Sequence, residues 1–436
     1  MASRDLMDIV ADWNFWGDFR DNSLPRPLYM RRLAEVEKAK EVVTLKGVRR
    51  SGKSTIVTQF LKDKIAAGLA PENTLIVNFE DPRFAAPGLE MLNRLYEQFL
   101  DMFPSGEYLH VVLDEVQEVK GWEKFARFLC ETGKAAVYVT GSSSKMFSGE
   151  YGTLLTGRHL DVAVMPLSFG EFLGFKGVKC GSETSLLKQR HLIRNYLREF
   201  MESGGFPKAA LVEKSQKMPL LQTYLSDVLM KDIIRRFKIR EAGRLEALAK
   251  YYLTNTATVQ PFNRVKVPVG VSLDTVQRFS AHLSAAGLFY FVSKFAYSLK
   301  EQMLNPRKVY TVDTGFRTAM GFRFSEDKGR LMENVVFIEL IRRGYEVFYW
   351  RSPNNREIDF VIKKGRTIEA LVQVCDDIES PAARRREVDA LLEASKQLRC
   401  NRLLIITDSV DAEEKLKGGH TVTTVPLWRW LLRDMG

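Results

Sequence analysis

A glycine-rich turn followed by a lysine and a serine comes directly after an apolar strand near the start of the chain. The segment EVVTLKGVRRSGKST (41–55) has the spacing G-x-x-x-x-G-K-[ST]. Its glycines let backbone N–H groups turn inward around phosphate oxygens, and a helix that begins here points its N-terminal amides at the same anion. The pattern predicts an ATP-binding loop formed by Gly47, Val48, Arg49, Arg50, Ser51, Gly52, Lys53, Ser54 and Thr55.

Two side chains of this loop carry its expected chemistry. Lys53 supplies a point charge for the β and γ phosphates, and the Ser54 hydroxyl is a hard oxygen ligand for Mg²⁺. The alternative is a chance glycine-lysine turn on a basic surface. The strand before the loop and the helix after it favour the phosphate-binding interpretation.

Two adjacent carboxylates end the apolar strand YLHVVLDE (108–115), about sixty residues after the phosphate loop. We expect Asp114 to hold Mg²⁺ through water and Glu115 to orient and polarise the water that attacks the γ-phosphate. The alternative is a solvated strand end without a function. The position after a phosphate loop favours the catalytic interpretation.

Further polar side chains are candidates for contact with the γ-phosphate. The strand AAVYVTGSSS ends in hydroxyls, of which Ser142 is the first candidate and Thr140 the second, although serines after a strand also form turns. Arg158 in LLTGRHL could act as an arginine finger, in its own chain or in a neighbouring one. Its alternative is a surface arginine on a loop.

Composition limits the class of protein. The 436 residues suggest about three domains, and 45% apolar with 27% charged residues is typical of a folded protein. No apolar run approaches the roughly 18 residues that span a bilayer, and the N-terminus lacks the order of a secretion signal. We therefore expect a cytoplasmic protein without a membrane partner. Its four scattered cysteines form no C-x-x-C pair, so neither a zinc site nor a disulfide framework is indicated.

Positive charge is concentrated in one segment. Between Arg235 and Lys308 there are thirteen Lys and Arg against four Asp and Glu, whereas the whole chain carries a net charge of +11. Such a segment is typical of a protein that binds a phosphate backbone, and a solvated basic face is the alternative. The first candidates for DNA contact are Arg235, Arg236 and Lys238.

The same segment contains a helix-turn-helix pattern. Ser272 caps an amphipathic helix that runs to Ala286, and LFYFVSKF supplies a following strand. In a DNA-binding module of this kind Gln277 and Arg278 would face the major groove, and Lys294 would contact phosphate from the wing. The alternative is an ATPase lid or a winged helix that contacts protein.

Element patterns predict an α/β protein. From 41 to about 170 strands and helices alternate, which predicts a parallel sheet covered by helices on both faces. A helical region follows, and the last part predicts an α/β domain with a mixed sheet. The expected divisions are an N-terminal aromatic and helical segment, an ATPase core, a helical and winged-helix domain and a C-terminal domain, at 1–40, 41–187, 188–308 and 309–436.

The motifs in order resemble those of one prokaryotic, largely archaeal family. They are GVRRSGKST, LDEVQEVKGWEKF, TGSSS, LTGRH, MPLSFGEFL, GGFP (204–207), YLSDVLMKDIIRR, KVYTVDTGF and NREIDFVI. The chain is similar, over nearly its whole length, to AAA+ P-loop ATPases with a winged-helix middle and a C-terminal restriction-endonuclease-like domain of unknown function. The resemblance implies an ATPase core, a winged helix and a nuclease-like fold.

The nuclease-like domain is expected to be inactive. In the PD-(D/E)xK group, which the resemblance implies, a helix glutamate, a strand aspartate and an (E/Q)-x-K tripeptide bind Mg²⁺ and activate water. Glu333 and Asp359 match the acids, and Gln373 begins the tripeptide, but Cys375 stands where the lysine belongs. A neutral thiol cannot replace an ammonium group, so cleavage should be slow or absent. Lys363 and Lys364 are the first substitutes to consider.

These features predict an ATP-driven switch. A AAA+ core binds MgATP, and hydrolysis changes how the winged-helix and nuclease-like domains meet a partner, for which DNA is the first candidate. The alternative is a signalling or regulatory ATPase that binds a protein and no nucleic acid.

Overall fold

The computed structural model describes residues 6–17, 19–84, 87–104, 107–141, 157–321, 328–416 and 419–433. The chain divides into two compact units, Met1–Met165 and Pro166–Gly436. The strand boundaries and helix boundaries given below refer to the described residues.

The first unit contains a five-stranded parallel sheet. The strands have the order β2-β3-β4-β1-β5. They are β1 (Val42–Lys46), β2 (Thr74–Asn78), β3 (Leu109–Asp114), β4 (Ala135–Thr140) and β5 (His159–Ala163). The helices are α1 (Leu6–Ala11), α2 (Pro27–Glu37), α3 (Lys53–Ala66), α4 (Leu89–Met102) and α5 (Trp122–Glu131).

Both faces of this sheet are covered by helices, as the sequence predicts. Every residue of β1, β3 and β4 is buried, which explains their continuous apolar runs. On one face Leu92 and Phe99 of α4 pack in a core with α1 and α5. On the other face Leu33 of α2 and Ile56 of α3 pack in a second core.

Two further features of this sheet are its edge strand and the N-terminal segment that packs on it. The edge strand β5 has one buried residue in five, so it lacks the apolar run that marks β1, β3 and β4. The aromatic N-terminal segment packs on the sheet, because the Trp16 indole donates to the Thr74 carbonyl at 2.9 Å and the Asn14 amide to the Ile76 carbonyl at 2.8 Å. Both residues therefore belong to the core of the first unit.

The second unit begins with helices that lead into a three-stranded sheet. The helices are α6 (Phe169–Phe175), α7 (Glu183–Lys188), α8 (Arg190–Ser203), α9 (Pro207–Leu211), α10 (Lys214–Asp227), α11 (Ala242–Thr254), α12 (Phe262–Val269), α13 (Leu273–Ala285), α14 (Leu299–Leu304) and α15 (Gly315–Ala319). A π-helix, Val228–Arg235, continues α10. The antiparallel strands have the order β6-β8-β7 and are β6 (Thr258–Gln260), β7 (Phe289–Val292) and β8 (Arg307–Thr311).

A six-stranded mixed sheet follows, as the sequence pattern predicts for this region. Its order is β13-β14-β12-β11-β10-β9. The strands are β9 (Glu346–Arg351), β10 (Glu357–Lys364), β11 (Thr367–Cys375), β12 (Leu403–Thr407), β13 (Ala412–Lys415) and β14 (Thr421–Pro426), with helices α16 (Lys328–Arg342), α17 (Pro381–Leu398) and α18 (Leu427–Leu432). Strand β8 runs across the expected division at 308/309 and pairs with β6 and β7.

The motifs GGFP and VDTGF interlock in this unit. The Asp313 carboxylate accepts backbone N–H groups from Gly205 at 2.7 Å and Gly315 at 2.9 Å. A Cβ atom at Gly204 would lie 1.6 Å from an oxygen of Asp313, and Gly204 has a φ of +71°. These motifs are therefore explained by close backbone packing.

Candidate nucleotide-binding site

The phosphate loop lies between the carboxyl end of β1 and the first turn of α3. Gly52 precedes α3 with a φ of 98°, in the left-handed region that favours glycine. A Cβ atom at Gly47 would lie 2.0 Å from the carbonyl oxygen of Val164, so glycine is required there. The Lys53 ammonium is buried and donates to the carbonyl oxygens of Gly47 at 3.1 Å and Val48 at 3.4 Å.

An arginine outside the motif anchors this loop. Arg26 is 2% exposed, and its guanidinium donates to the carbonyl oxygens of Ser51 at 2.9 Å and Met165 at 3.0 Å. The guanidinium also lies 4.5 Å from the centre of the Tyr29 ring. Sequence reasoning missed Arg26, because the only local signal is its place between two prolines before α2.

Two strand ends and the first turn of α3 meet at one carboxylate. Asp114, at the end of β3, accepts a hydrogen bond from the Ser54 hydroxyl at 2.8 Å and another from the Thr140 hydroxyl at the end of β4. Burial and the nearby Glu115 charge raise the pKa of Asp114 to about 6. The structure therefore brings together the two expected Mg²⁺ ligands and the second γ-phosphate candidate, Thr140.

Glu115 lies next to this carboxylate in an unusual backbone conformation. Its φ is 54°, in the left-handed region where residues other than glycine are strained, and such strain is common at functional sites. Its N–H donates to the Thr140 hydroxyl at 3.2 Å, and the Gln117 amide donates to its carboxylate at 2.5 Å. These contacts fix Glu115 beside the expected position of the nucleotide phosphates.

The remaining phosphate candidates have different outcomes. Ser142, Ser143 and Ser144 lie outside the described residues. Arg158 immediately precedes β5, and the parallel register pairs the start of β5 with the start of β1, at the opposite edge from the phosphate loop. Arg158 pairs there with Glu131 at the end of α5. In its own chain Arg158 thus lies away from the phosphate loop, and its role as an arginine finger, in its own chain or in a neighbouring one, stays a prediction.

The loop has the donors and ligands that MgATP requires. The Ser54 hydroxyl and an Asp114 carboxylate oxygen lie 2.8 Å apart. Both are hard oxygen atoms, the kind of ligand that Mg²⁺ prefers. The Ser51 hydroxyl is buried and has no hydrogen-bond partner within the described residues. The rest of the loop consists of Gly47, Val48, Arg49, Arg50, Gly52 and Thr55. Of these, Arg49 pairs with Glu80 at 2.8 Å. The residues therefore fit a bound nucleotide and its metal.

The expected DNA-contacting residues lie on several elements of the second unit. Arg235 ends the π-helix, and both Arg235 and Lys238 are exposed. Gln277 and Arg278 are exposed on α13, whose Ser272 cap accepts the Thr275 N–H at 3.1 Å. The remaining candidates, Arg236 and Lys294, are partly buried.

The expected nuclease residues surround a lysine that the motif did not include. Lys308 of β8 is 2% exposed, and its ammonium lies 2.7 Å from Glu333, 2.8 Å from Glu357 and 2.9 Å from Asp359. Burial opposes the charge of this ammonium, but the Asp359 and Glu333 carboxylates outweigh burial and raise the pKa of Lys308 well above its ordinary value. The cluster is therefore a buried ion pair network with one shared cation.

Lys308 supplies a positive charge that the predicted set of residues did not include. Cys375 donates to the Asp377 carbonyl at 3.2 Å, and burial raises the pKa of its thiol to about 11, so it is neutral as expected. Lys363 is no substitute, because it pairs at 2.8 Å with Glu346 on the neighbouring strand. The motif did not point to Lys308 because this lysine lies on another sheet, about fifty residues before Asp359 in the sequence.

Other members of this cluster hold the strands in register. The Asp359 carboxylate accepts the Val374 N–H at 2.9 Å, and the Gln373 amide oxygen accepts the Asp359 N–H at 2.7 Å. Lys364 is exposed at the end of β10. No group of three or more His, Cys, Asp or Glu side chains within the described ranges is arranged to hold a metal ion.

One family model agrees with the geometry of the first unit. A family model described as an AAA domain matches residues 39–173. Two further models, described as domains of unknown function, DUF8612 and DUF4143, match residues 194–327 and 328–428. Among solved structures, the Walker-type ATPase of Pyrococcus abyssi is 13% identical with a TM-score of 0.47, over 70% of this chain and 97% of that one.

Two curated relatives match nearly the whole chain. The uncharacterized protein MJ1544 of Methanocaldococcus jannaschii is 30% identical over 406 residues, 90% of this chain and 88% of that protein. An uncharacterized protein of Haemophilus influenzae is 29% identical over 419 residues, 94% of this chain and 99% of that protein. The fold and the matched domain define an AAA-type P-loop protein. The chain belongs to the family of MJ1544, whose matched relatives are uncharacterized archaeal and bacterial proteins.

No helix among the described residues is long and apolar enough to cross a membrane.

Arg26→Gln should weaken ATP binding about tenfold. The substitution removes a buried, charged donor from the Ser51 carbonyl, and such hydrogen bonds are worth about 1.5–3 kcal/mol. Fluorescence titration with a labelled ATP analogue measures the effect. Arg31→Gln is the matched control, because Arg31 is an exposed arginine of α2, the helix that Arg26 precedes. Equal affinity of Arg26→Gln and Arg31→Gln would show that Arg26 does not support the loop.

Proposed function

We propose that this protein binds and hydrolyses ATP, and uses the hydrolysis cycle as a switch on the domains of its second unit, with DNA as the partner. The observation that carries the ATPase proposal is the contact of Ser54 and Thr140 with Asp114 beside the phosphate loop. This contact supports a site in which the phosphate loop, the metal ligand and the phosphate-sensing hydroxyl are already arranged for MgATP.

Each residue of the site has a separate task in this proposal. Lys53 exchanges its carbonyl partners for phosphate oxygens, and Ser54 with Asp114 holds the metal. Bound Mg²⁺ supplies positive charge that offsets the charge of the β and γ phosphates. Glu115 orients the attacking water. Thr140 contacts both acidic residues, so a change at the γ-phosphate can be transmitted through Thr140 to β4.

Lys53→Ala and Glu115→Gln should separate binding from hydrolysis. Lys53→Ala loses phosphate contact, so its affinity for MgATP should fall at least tenfold, by about 1.4 kcal/mol or more. Glu115→Gln should bind with the affinity of the unmodified protein but turn over about 10²-fold more slowly or worse, since it lacks the water-orienting carboxylate. Titration with an ATP analogue and phosphate-release kinetics measure the two quantities.

Glu97→Gln on α4 is the matched control for this pair, because Glu97 is an exposed carboxylate of the same unit. It should bind and hydrolyse ATP like the unmodified protein. Equal turnover in Glu115→Gln and Glu97→Gln would exclude the role assigned to Glu115.

The DNA-directed part of the proposal is supported by the order of elements in the basic segment. The elements of this segment follow one another in the order of a winged helix. They are helix α11, strand β6, helices α12 and α13, and the hairpin of β7 and β8. A left-handed Gly270 ends α12, and Ser272 caps α13, which together form the turn between the two helices. The exposed side chains of Gln277 and Arg278 favour α13 as the DNA-facing helix.

Charge reversal of exposed basic residues should weaken DNA binding. We expect the triple variant Arg235→Glu, Lys238→Glu, Arg278→Glu to bind duplex DNA at least about tenfold more weakly, and to flatten the log–log salt dependence by about 0.9 for each phosphate that is no longer neutralised. The matched control reverses Lys179, Lys188 and Arg190, which are exposed elsewhere in the same unit. Fluorescence anisotropy at several salt concentrations measures both. Equal losses of affinity in both variants would contradict a specific DNA-binding face.

One observation favours the second candidate, a regulatory ATPase that binds a protein. The tip of the hairpin between β7 and β8 exposes four large apolar side chains, each by 69–79% of its surface. They are Tyr297, Leu299, Met303 and Leu304. Exposed apolar groups in one short stretch are typical of a protein-binding surface. ATP hydrolysis that is unaffected by DNA would favour this candidate.

The C-terminal sheet supports a nuclease-like fold without nuclease activity. Its elements follow the order that the PD-(D/E)xK resemblance implies. This order is α16, β9, β10, β11, α17 and β12. The acids expected to hold a metal, Glu333 and Asp359, instead share the ammonium of Lys308. The buried ammonium thus takes the position in which a divalent cation would have to be bound.

Plasmid and linear DNA should stay intact with Mg²⁺ or Mn²⁺, with or without ATP. The reason is that Lys308 already neutralises the carboxylates a metal would need. Gel electrophoresis of treated plasmid measures cleavage. Metal-dependent cleavage that disappears in both Asp359→Ala and Lys308→Met, but not in the surface control Lys363→Met, would contradict this prediction and identify Lys308 as the active lysine.

A further inference from the structure

The tip of the hairpin between β7 and β8 is attached to the mixed sheet. This hairpin tip, residues 293–306, includes α14. The N–H of Phe295 donates to the Tyr349 carbonyl of β9 at 2.6 Å, and the Tyr349 N–H donates to the Ser293 carbonyl at 3.2 Å. At the other end of the hairpin tip, the Tyr349 hydroxyl donates to the Pro306 carbonyl at 2.6 Å. Both ends of the hairpin tip are therefore held by one residue of β9.

Hydrogen bonds within the hairpin tip also order it. The Gln302 amide donates to the Ala296 carbonyl at 2.7 Å, and the Asn305 amide donates to the Glu301 carbonyl at 2.7 Å. The hairpin tip is thus ordered before a partner binds, so little conformational entropy is lost when one does.

This ordered hairpin tip presents apolar side chains to solvent. Leu299, Met303 and Leu304 of α14 are 70%, 69% and 75% exposed. Leu299 and Met303 are separated by one helical turn, so they lie on the same face of α14. Exposed apolar groups that are clustered on an ordered protrusion indicate a surface that a partner covers.

The charges around these side chains favour an anionic partner. Between 294 and 307 there are three cations, Lys294, Lys300 and Arg307, against one carboxylate, Glu301. Of the cations, Lys300 and Arg307 are exposed. Duplex DNA offers an anionic backbone for the cations and apolar base faces for the leucines and the methionine. Leucine and methionine are among the side chains that proteins insert between base pairs.

We propose that Leu299, Met303 and Leu304 form a wedge that enters duplex DNA from the minor groove, partly separates two stacked base pairs and bends the duplex. Lys300 and Arg307 contact the neighbouring phosphates. This inference rests on the DNA-directed function proposed above and adds a deformation of the DNA to it. Unstacking costs least at flexible pyrimidine–purine steps such as TA, so the wedge predicts a sequence preference without a hydrogen bond to a base.

A triple variant tests the wedge. The wedge variant Leu299→Gln, Met303→Gln, Leu304→Gln removes the apolar groups but keeps long side chains with good helix propensity. The matched control replaces three exposed leucines on helices that precede the basic segment by Gln, and thermal melting checks that both variants are folded. The control leucines are Leu187, Leu192 and Leu211.

Resonance energy transfer between dyes on the two ends of a duplex measures bending, and fluorescence anisotropy of the same duplex measures affinity. A suitable duplex has about two helical turns, roughly 20 base pairs. The unmodified protein and the control should raise the energy transfer, because a bend brings the two ends together. The wedge variant should bind at least about threefold more weakly and leave the energy transfer at the value of free DNA.

The same proteins should differ in their preference for flexible DNA. The unmodified protein should bind a duplex with a central TA step at least about threefold more tightly than one with a stiff central A-tract. The wedge variant should bind both duplexes alike, since it does not unstack them.

The outcomes distinguish this inference from the proposed function. If the unmodified protein binds duplex DNA without a rise in energy transfer, or if the wedge variant bends DNA like the control, the wedge is excluded and the DNA-directed function stands. If the unmodified protein binds no duplex at low salt, both are overturned, and the hairpin tip is left to the protein partner of the second candidate function.

Discussion

The buried carboxylate of Asp114 is the contact on which the first unit depends. Strand β4 lies between β1 and β3 in the parallel sheet, so the carboxyl ends of three strands meet in one place. Asp114 from β3 receives hydroxyl hydrogen bonds from α3 and β4 there, and burial would otherwise make this carboxylate unfavourable. The Ser54 hydroxyl that satisfies this carboxylate, and the carboxylate itself, are the two expected ligands of a nucleotide-bound metal. Stability of the sheet edge and readiness for a nucleotide therefore have a common physical origin.

The second unit also depends on buried carboxylates, but here a lysine of the chain satisfies them. Three carboxylates of the mixed sheet and α16 share the ammonium of Lys308, which comes from β8 of the three-stranded sheet. Removing one partner of such a buried network typically costs about 3–5 kcal/mol, because it leaves an uncompensated charge. The two sheets are thus joined through a lysine, and the carboxylates that the sequence analysis expected to bind a metal are used for packing.

Charge is organised differently on the two units. In the first unit the loop that contains Arg49 and Lys53 keeps its cations paired with Glu80 or with backbone carbonyls. In the second unit, by contrast, the basic segment presents exposed cations such as Lys238 and Arg240. A buried lysine under a glycine loop suits one small, highly charged ligand, whereas the exposed cations of the second unit stay open to solvent.

The sequence by itself determined the phosphate loop, the acidic strand end and the parallel sheet, because each is specified by residues close together in the chain. Glycine spacing and unbroken apolar runs are local signals. The tertiary structure alone decided the rest. Strand β5 was missed because an edge strand buries too few residues to give a pattern. Arg26, Lys308 and the pairing of Phe237 with His282 act across at least 25 positions of sequence, where only folding decides which side chains meet. Cys375 is a neutral thiol, as its residue type predicts, yet a lysine supplied by another strand changed the charge of the site.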